Sequence, residues 1–456
     1  MNDVDVIIIG GGPGGYLAAE RLAHRGKRVL LAEKERLGGA CLNVGCIPTK
    51  SLLNSAKLYE HALHGAKYGV RAPDVTVDWQ VMQSWKAKVV DTLVRGVEAM
   101  ERRLGVEVAN EHATLLGPGT VRLANGTERR AEHVVIATGS AAVIPPIPGV
   151  VGNDQVVDST GMLSVPEIPR RLAVIGGGVI GLEFASLFAT LGSEVTVIEM
   201  LDEVASFADP EVAAALRAGI QGVTFRLGAR VTGVIGGTVQ FTSAAGPDSV
   251  ETDVVLMAVG RRPLVDGWGA VEAGLDVSAR GVRVDDRMRT NLPGVWAIGD
   301  VTGRSLLAHA AYRMGEVAAA NILDPAGAPR RGEMMRWDTV PWAVYSLPEA
   351  AGVGLTEQEA VARGHAVSTA TVPHLLSGRF VAENGTKAPG STKIIADAVT
   401  GQVLGIHLVG PSSAETIWGA AAVLESEFRV QDLRQVVFPH PTISEVVREA
   451  AWALHD

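Results

Sequence analysis

The chain has 456 residues, 47% of them hydrophobic, and a formal net charge of −9. That length predicts roughly two to four domains, and the apolar content fills their cores without disulfide staples. The acidic balance argues against nucleic acid and anionic membranes as partners. Two cysteines in so long a chain make no secretory disulfide framework. No run approaches the roughly 18 apolar residues of a membrane span, and residues 1–5 lack the basic start of a signal peptide. These features predict a soluble, cytoplasmic α/β protein.

Residues 4–34 read as strand, turn, helix, strand. An apolar strand ends at Ile9, a turn carries Gly10, Gly12 and Gly15, a helix is predicted from Tyr16 to about His24, and a second strand ends at Glu33. Residues 38–50 come next, Gly-Gly-Ala-Cys-Leu-Asn-Val-Gly-Cys-Ile-Pro-Thr-Lys, and hold both cysteines, Cys41 and Cys46. Another apolar strand runs into Gly139, and a proline-rich stretch at 145–148 reads as a linker. Residues 171–200 then repeat the first unit, with Gly176, Gly178 and Gly181 in the turn and Glu199 after the second strand. The first glycine and the acid both recur 166 positions on (176 − 10 and 199 − 33), the mark of a duplicated supersecondary unit. A strand running into Gly260 closes the second copy, and Gly260-Arg-Arg-Pro263 opens a loop-rich region. That region ends in a strand and turn reaching Asp300, then an alanine-rich helix to about Asn321.

From about Trp337 the pattern changes. Strands at 393–397 and 403–409 flank Thr400-Gly401 as a hairpin, and helices are predicted at roughly 414–425 and 443–454. Strands followed by helices indicate a separate α+β domain. The predicted fold class is α/β, with two Rossmann-like dinucleotide-binding domains (1–148 and 149–265), a region completing the first (266–335), and a C-terminal α+β dimerisation domain (336–456).

A lone G-x-G-x-x-G says little, because glycine turns also serve tight packing. Here it occurs twice, each time between strand and helix, and each time with an acid 23 residues past its first glycine (33 − 10 and 199 − 176). That is the context of dinucleotide binding. The glycines admit a pyrophosphate to the helix N-terminus, and the acid accepts from a ribose. Glu199 is followed by Met200-Leu-Asp-Glu203, with no arginine for a 2′-phosphate, so NAD is expected over NADP.

Cys41 and Cys46 are five positions apart. An ideal helix would separate them by about 7.5 Å of rise and turn their side chains to different faces. A disulfide needs Cα atoms within roughly 7 Å, so the pair requires a distorted helix start, which Gly45 and Pro48 make available. A thiol at a helix N-terminus also gains thiolate character. Two unrelated buried thiols would be the ordinary state of intracellular cysteine, but both of these lie in one glycine-flanked segment. Nicotinamide delivers hydride while a disulfide reacts by thiolate attack, and a flavin links the two. One dinucleotide is therefore expected to be FAD. A base for thiol exchange is offered by His440, with Glu445 five residues on to orient it. Equally, His440 could be a plain loop histidine and Glu445 a first-turn helix acid.

In this order the motifs are similar to those of the class I pyridine nucleotide–disulfide oxidoreductases, over essentially the whole chain. Within them the resemblance is to the dihydrolipoyl dehydrogenase branch. The resemblance implies FAD on the first fingerprint, with Glu33 at its ribose, Asp300 at its ribityl chain, and Leu306, Leu307, Ala308 and His309 near its ring. It implies Lys50 beside the flavin and paired with Glu183, with Ala113, Thr138, Gly139 and Ser140 completing that site. NAD would take the second fingerprint, Ile180, Val231 and Gly260. Cys46 would face the flavin and Cys41 exchange with substrate. His440 would act on the other subunit of a homodimer, whose partner is a lipoyl-bearing protein of a 2-oxo acid dehydrogenase or glycine cleavage system. The chain departs from the branch at Ala40, often threonine; at Ser346-Leu-Pro-Glu349, often Thr-Glu-Pro-Glu; and at Phe438, where many members have a second histidine. Phe438 keeps a second reading open, a stand-alone NAD(P)H-dependent reductase of another disulfide or small acceptor. A third, a flavin-binding scaffold without turnover, is disfavoured by the intact Cys41, Cys46, His440 and Glu445.

Overall fold

The computed structural model describes residues 2–324 and 333–454. The chain forms two compact units, Met1–Ser51 with Gln80–Val143 and Gly260–Met335, and Leu52–Trp79 with Ile144–Val259 and Arg336–Asp456.

The first unit is built on a five-stranded parallel sheet, in the order Val295–Ala297, His133–Ile136, Val6–Ile9, Val29–Ala32, Glu107–Ala109. Val6–Ile9 and Val29–Ala32 are buried along their length, as unbroken apolar runs in a parallel sheet should be. The first strand in sequence lies in the middle, so the strand order reverses there. A ligand crevice opens beyond the carboxyl ends of strands at such a reversal. Helix Pro13–Ala23 starts there, three residues before the predicted Tyr16. Proline occupies its first turn, where no N–H is needed, and Gly12 is the N-cap.

The second unit contains the same sheet again, in the order Val223–Arg226, Glu194–Ile198, Arg171–Ile175, Val254–Met257, Val156–Val157, all parallel. Helix Val179–Thr190 starts at Gly178 as Pro13–Ala23 starts at Gly12. The same unit holds a five-stranded antiparallel sheet of Trp342–Val344, Ala350–Gly354, Val403–Val409, Ser391–Asp397 and Val367–Pro373. Two of its strands, Ser391–Asp397 and Val403–Val409, are the predicted hairpin. Helices Ser413–Glu425 and Glu445–Ala453 cover one face through Ile394, Ile406, Leu408, Ile417, Val446 and Ala450. Inside this unit the buried Lys393 ammonium, on that sheet, pairs with Asp209 at 3.1 Å and Glu357 at 2.7 Å. Asp209 is the N-cap of helix Pro210–Gly219 in the nucleotide-binding part, so a desolvated charge set ties the two parts together. Among the described residues no helix is long and apolar enough to cross a membrane.

The two fingerprints divide their glycines identically. Gly10 and Gly176 both have φ +109°. A Cβ on Gly15 would stand 1.9 Å from the Gly10 carbonyl oxygen, and one on Gly181 2.0 Å from that of Gly176. By contrast, a Cβ on Gly12 would meet nothing nearer than 3.8 Å, and one on Gly178 nothing within 4 Å. The outer glycines are needed for packing, and the middle ones leave space. Gly15→Ala and Gly181→Ala should therefore each cost about 1–3 kcal/mol of stability, the usual penalty of overpacking. Gly12→Ala and Gly178→Ala should stay within about 0.5 kcal/mol. Urea unfolding of the four variants checks this.

Candidate active site

Each fingerprint acid holds its own turn. Glu33 accepts the N–H groups of Gly11 at 2.7 Å and Glu35 at 2.8 Å. Glu199 accepts those of Gly177 at 2.6 Å and Leu201 at 2.8 Å. From spacing alone these carboxylates serve only riboses; the structure adds this second duty. Two carboxylate oxygens offer about four acceptor sites, so lone pairs remain for a ribose. No side chain caps either fingerprint helix, and the space before Gly12 and Gly178 is open. An uncapped helix N-terminus behind open glycines suits a pyrophosphate.

The dithiol is seated on the first of these turns. The Gly38 N–H donates to the Gly11 carbonyl at 2.8 Å, and a Cβ on Gly39 would stand 2.6 Å from the Gly12 Cα. The Asn43 side-chain amide clamps the start of the dithiol segment itself, donating to the carbonyls of Leu37 and Gly39, each at 3.0 Å. The chain then makes two helices instead of one, Gly39–Val44 and Cys46–His64, broken at Gly45 with φ −144° and ψ −107°. A Cβ on Gly45 would lie 2.9 Å from the Ala40 carbonyl oxygen, so the break requires glycine. The Thr49 hydroxyl and N–H fold back on the Gly45 carbonyl at 2.7 and 3.1 Å and start the second helix. Through this break the two cysteines meet, both as thiols. Hydrogen bonding to Cys46 and then burial push the Cys41 thiol well above the ordinary thiol range, and the Lys50 ammonium pulls the other way. The pair therefore surrenders its protons one at a time.

Elsewhere in the first unit, the Ser140 hydroxyl donates to Asp300 at 2.5 Å, and Arg261 donates to the Ser140 hydroxyl at 2.8 Å and carbonyl at 2.7 Å. Burial raises the Asp300 carboxyl, opposed by Ser140 and Arg261. In the sequence Arg261 is visible only as part of Gly260-Arg-Arg-Pro263, with no role attached; its guanidinium positions Ser140. The Thr138 hydroxyl donates to the Leu264 carbonyl at 2.9 Å, and the Gly139 carbonyl accepts the Leu264 N–H at 2.9 Å with Gly139 at φ +77°. Leu307 is the N-cap of helix Ala308–Leu323, another helix without a side-chain cap, so residues 306–309 present a helix N-terminus. Ala113 is buried in the core with Ile9 and Ala32. Gly260, expected at the nicotinamide nucleotide, belongs to the first unit, where its carbonyl accepts the Val143 N–H at 3.0 Å.

In the second unit Glu183 is buried and accepts the Tyr345 N–H at 3.1 Å, one turn along the helix that also carries Ile180. Val231 packs at a bulge against the core of the second nucleotide-binding sheet. The His440 ring bonds through Nδ1 to both Glu445 oxygens, at 3.0 and 3.2 Å. The Glu445 side chain is 7% exposed and the His440 side chain 77%. Nδ1 is thus occupied and Nε2 faces away from the acid. Glu445 also accepts the Thr442 N–H at 2.9 Å, and Ser377 donates to the Thr442 carbonyl at 2.9 Å, which steadies the loop. Phe438 packs on the core of the C-terminal sheet and its helices. Sequence reasoning misses a tyrosine pair, Tyr16 and Tyr312, whose hydroxyls share a hydrogen bond; only an apolar-helix pattern marks either position.

Two nucleotide-binding sheets, a dithiol on a broken helix and a carboxylate-oriented histidine define a flavin- and pyridine-nucleotide-dependent disulfide oxidoreductase. Comparison with known proteins agrees. Residues 4–315 match the pyridine nucleotide-disulphide oxidoreductase family and residues 340–451 its dimerisation domain, so the chain belongs to that family and is built to form a homodimer. It is 41% identical to dihydrolipoyl dehydrogenase of Thermus scotoductus, over 100% of this chain and 98% of that one. It is 40% identical to dihydrolipoyl dehydrogenase 3 of Pseudomonas putida, over 99% and 98%. Among solved structures it is similar to the HOCl-induced flavoprotein disulfide reductase RclA from Escherichia coli, with a TM-score of 0.85 at 30% identity, covering 98% of this chain and 99% of that one.

The Thr442 N–H first, and then His440 and Arg448, hold the Glu445 carboxyl below its ordinary value of 4.5 against the cost of burial. A lowered carboxyl contributes stability that is complete above its unfolded value and lost as pH falls through its folded one. Urea unfolding from pH 7 down to pH 3 should show a shallower acid decline for Glu445→Gln than for the parent protein.

Proposed function

We propose that the protein oxidises dihydrolipoamide, carried by a lipoyl protein of a 2-oxo acid dehydrogenase or glycine cleavage system, and reduces NAD⁺. The observation that carries this reading is the Cys41–Cys46 pair, brought together at the Gly45 break and seated on the first fingerprint turn. Residues 1–148 and 266–335 would hold FAD, 149–265 NAD, and 336–456 the dimer contact, in the cytoplasm. Bound flavin supplies the electron-pair transfer that thiols and nicotinamide cannot make directly.

In this reading the substrate thiolate attacks Cys41 of the oxidised pair and Cys46 leaves as thiolate. The second substrate thiolate then releases Cys41 and closes the lipoamide disulfide. His440 Nε2, on the partner's substrate, takes the thiol proton, and Glu445 holds its Nδ1–H and stabilises the imidazolium. Lys50 would offset the thiolate charge, a role that its effect on Cys41 supports. Glu33 and Glu199 accept from the two adenosine riboses, and Asp300 with Ser140 binds the flavin side chain. Leu306 to His309 would present helix N–H groups to its ring, and Ile180 and Val231 would bound the nicotinamide nucleotide. The acid at Glu199, without a nearby arginine, favours NAD.

A second reading, a stand-alone reductase of another disulfide, is supported by the likeness to a flavoprotein disulfide reductase. Purified protein should turn over dihydrolipoamide with NAD⁺; its absence, with NADH-dependent reduction of another disulfide, selects the second reading. His440→Gln should slow dithiol oxidation by about 10²–10⁴-fold, the worth of a positioned acid–base group. Stopped-flow reduction by dihydrolipoamide measures it, and an unchanged rate removes His440 from the reaction. Replacing Glu199 by a neutral residue with an arginine added nearby should move preference toward NADP, read as the ratio of kcat/KM for the two nucleotides.

A further inference from the structure

Helices Pro13–Ala23 and Ala308–Leu323 cross closely at Gly14 and Gly315. A Cβ on Gly14 would stand 3.1 Å from the Ala311 carbonyl oxygen, and one on Gly315 2.8 Å from the Gly14 carbonyl oxygen. This close crossing presses Tyr16 against Tyr312. Their rings meet edge to face with centroids 5.9 Å apart, and their hydroxyls are hydrogen-bonded to each other. Two hydroxyls carry two protons but need only one for their mutual bond, so one O–H remains to donate outward. Tyr16 is only 7% exposed and Tyr312 is half-buried.

The dithiol lies near the pair. Helix Gly39–Val44 begins against Gly12 and Pro13, which places Cys41 near the turn leading to Tyr16. The charge of a Cys41 thiolate bears on both phenols, and that of Cys46 on Tyr312. Two carboxylates also bear on the pair or on each other. Glu20 is one turn from Tyr16 on the same helix face, and its charge also bears on both phenols. Glu101, on helix Trp79–Leu104, is fully buried, and neither of its oxygens has a partner among the described residues. Burial and the charge of Glu20 lift its carboxyl to about 8. Burial also raises Glu20, against the pull of Arg21, His24 and Arg103. Of two such acids the more buried keeps the proton more tightly, so of the pair Glu20 is the first to carry the negative charge.

We propose that the Tyr16–Tyr312 hydroxyl pair is a positioning element of the redox dithiol, its outward O–H stabilising the thiolate and the Glu20 charge opposing that stabilisation. Oxidising a dithiol with NAD⁺ releases two protons and two electrons. NADH keeps the electrons and one proton equivalent as hydride, and one proton leaves per turnover. A group that sets the thiol–thiolate balance therefore acts on every cycle. The proposal rests on Cys41–Cys46 being the redox pair of the proposed function.

The test is the rate of iodoacetamide alkylation of the phosphine-reduced holoenzyme, followed from about pH 5 to pH 10 without nucleotide or lipoyl substrate. Either single Tyr→Phe variant leaves one O–H, freed from the mutual bond, that can still donate, so the variant tested is the double one, Tyr16→Phe with Tyr312→Phe, which removes both protons. It should raise the thiol's apparent pKa by about one unit, slowing alkylation at pH 7 about tenfold. Glu20→Gln should move the profile the other way and speed alkylation. Opposite signs are not expected of a general packing defect. If the double phenylalanine variant keeps the parent profile, or Glu20→Gln shifts it in the same direction, the proposal fails. Absent dihydrolipoamide turnover with these shifts intact would overturn only the substrate assignment.

Discussion

The site depends on one backbone contact, the seating of Gly38 and Gly39 on the Gly11–Gly12 turn. One hydrogen bond and one approach closer than any side chain permits join the dithiol segment to the first fingerprint. The glycines there serve two partners at once. On the outside they leave room for a phosphate, and on the inside they admit the helix that carries Cys41. A side chain at Gly39, whose Cβ would stand 2.6 Å from the Gly12 Cα, would push the dithiol segment off the nucleotide turn, so the placing of the sulfurs is fixed by main chain. Side chains then refine it, with Asn43 clamping the start of the dithiol segment and Thr49 starting the second helix.

The two fingerprints show how far repeated physics carries across a duplication. Equal spacing gives each turn a φ +109° glycine, a glycine in contact with that glycine's carbonyl, an open glycine at the N-cap, and a carboxylate closing the loop. The segments downstream of the two copies differ. After the first comes a dithiol segment packed on the turn. After the second come Met200 to Glu203 and a helix capped by Asp209, whose carboxylate is shared with Lys393 of the C-terminal sheet. One copy is elaborated for redox chemistry, and the other is locked to the antiparallel sheet of its own unit.

Much of this is legible in the sequence because it is written in local rules. Glycine spacing, apolar runs and a hairpin turn at Thr400-Gly401 need only neighbours along the chain, and the strands and helices they predict are present. The i to i+5 spacing of the cysteines also forces a broken helix, and Gly45 is where it breaks. Less visible are features that depend on distant residues or on exact position. The first helix begins three residues ahead of its predicted start, because Pro13 reads as a breaker unless its first-turn position is known. Arg261 gains a role only when Ser140 is brought beside it by strand pairing. Tyr16 and Tyr312 are 296 positions apart and meet only through the Gly14–Gly315 crossing. Glu101, an acid on a long amphipathic helix, gives no sequence sign of being fully buried.

Phe438 illustrates why a departure at one position need not carry a change of chemistry. From the sequence it stands where relatives of the resembling branch place a histidine, and it reads as a lost polar group near substrate. In the structure it is an apolar anchor on the core beneath the His440 loop. The groups that orient His440 are elsewhere: Glu445, nearly buried and ionised, accepts from the ring and from the Thr442 N–H, and Ser377 holds the Thr442 carbonyl. Orientation by a buried carboxylate that is itself fixed by main-chain donors is the requirement for a histidine that must stay in one tautomer. That requirement is met without help from position 438.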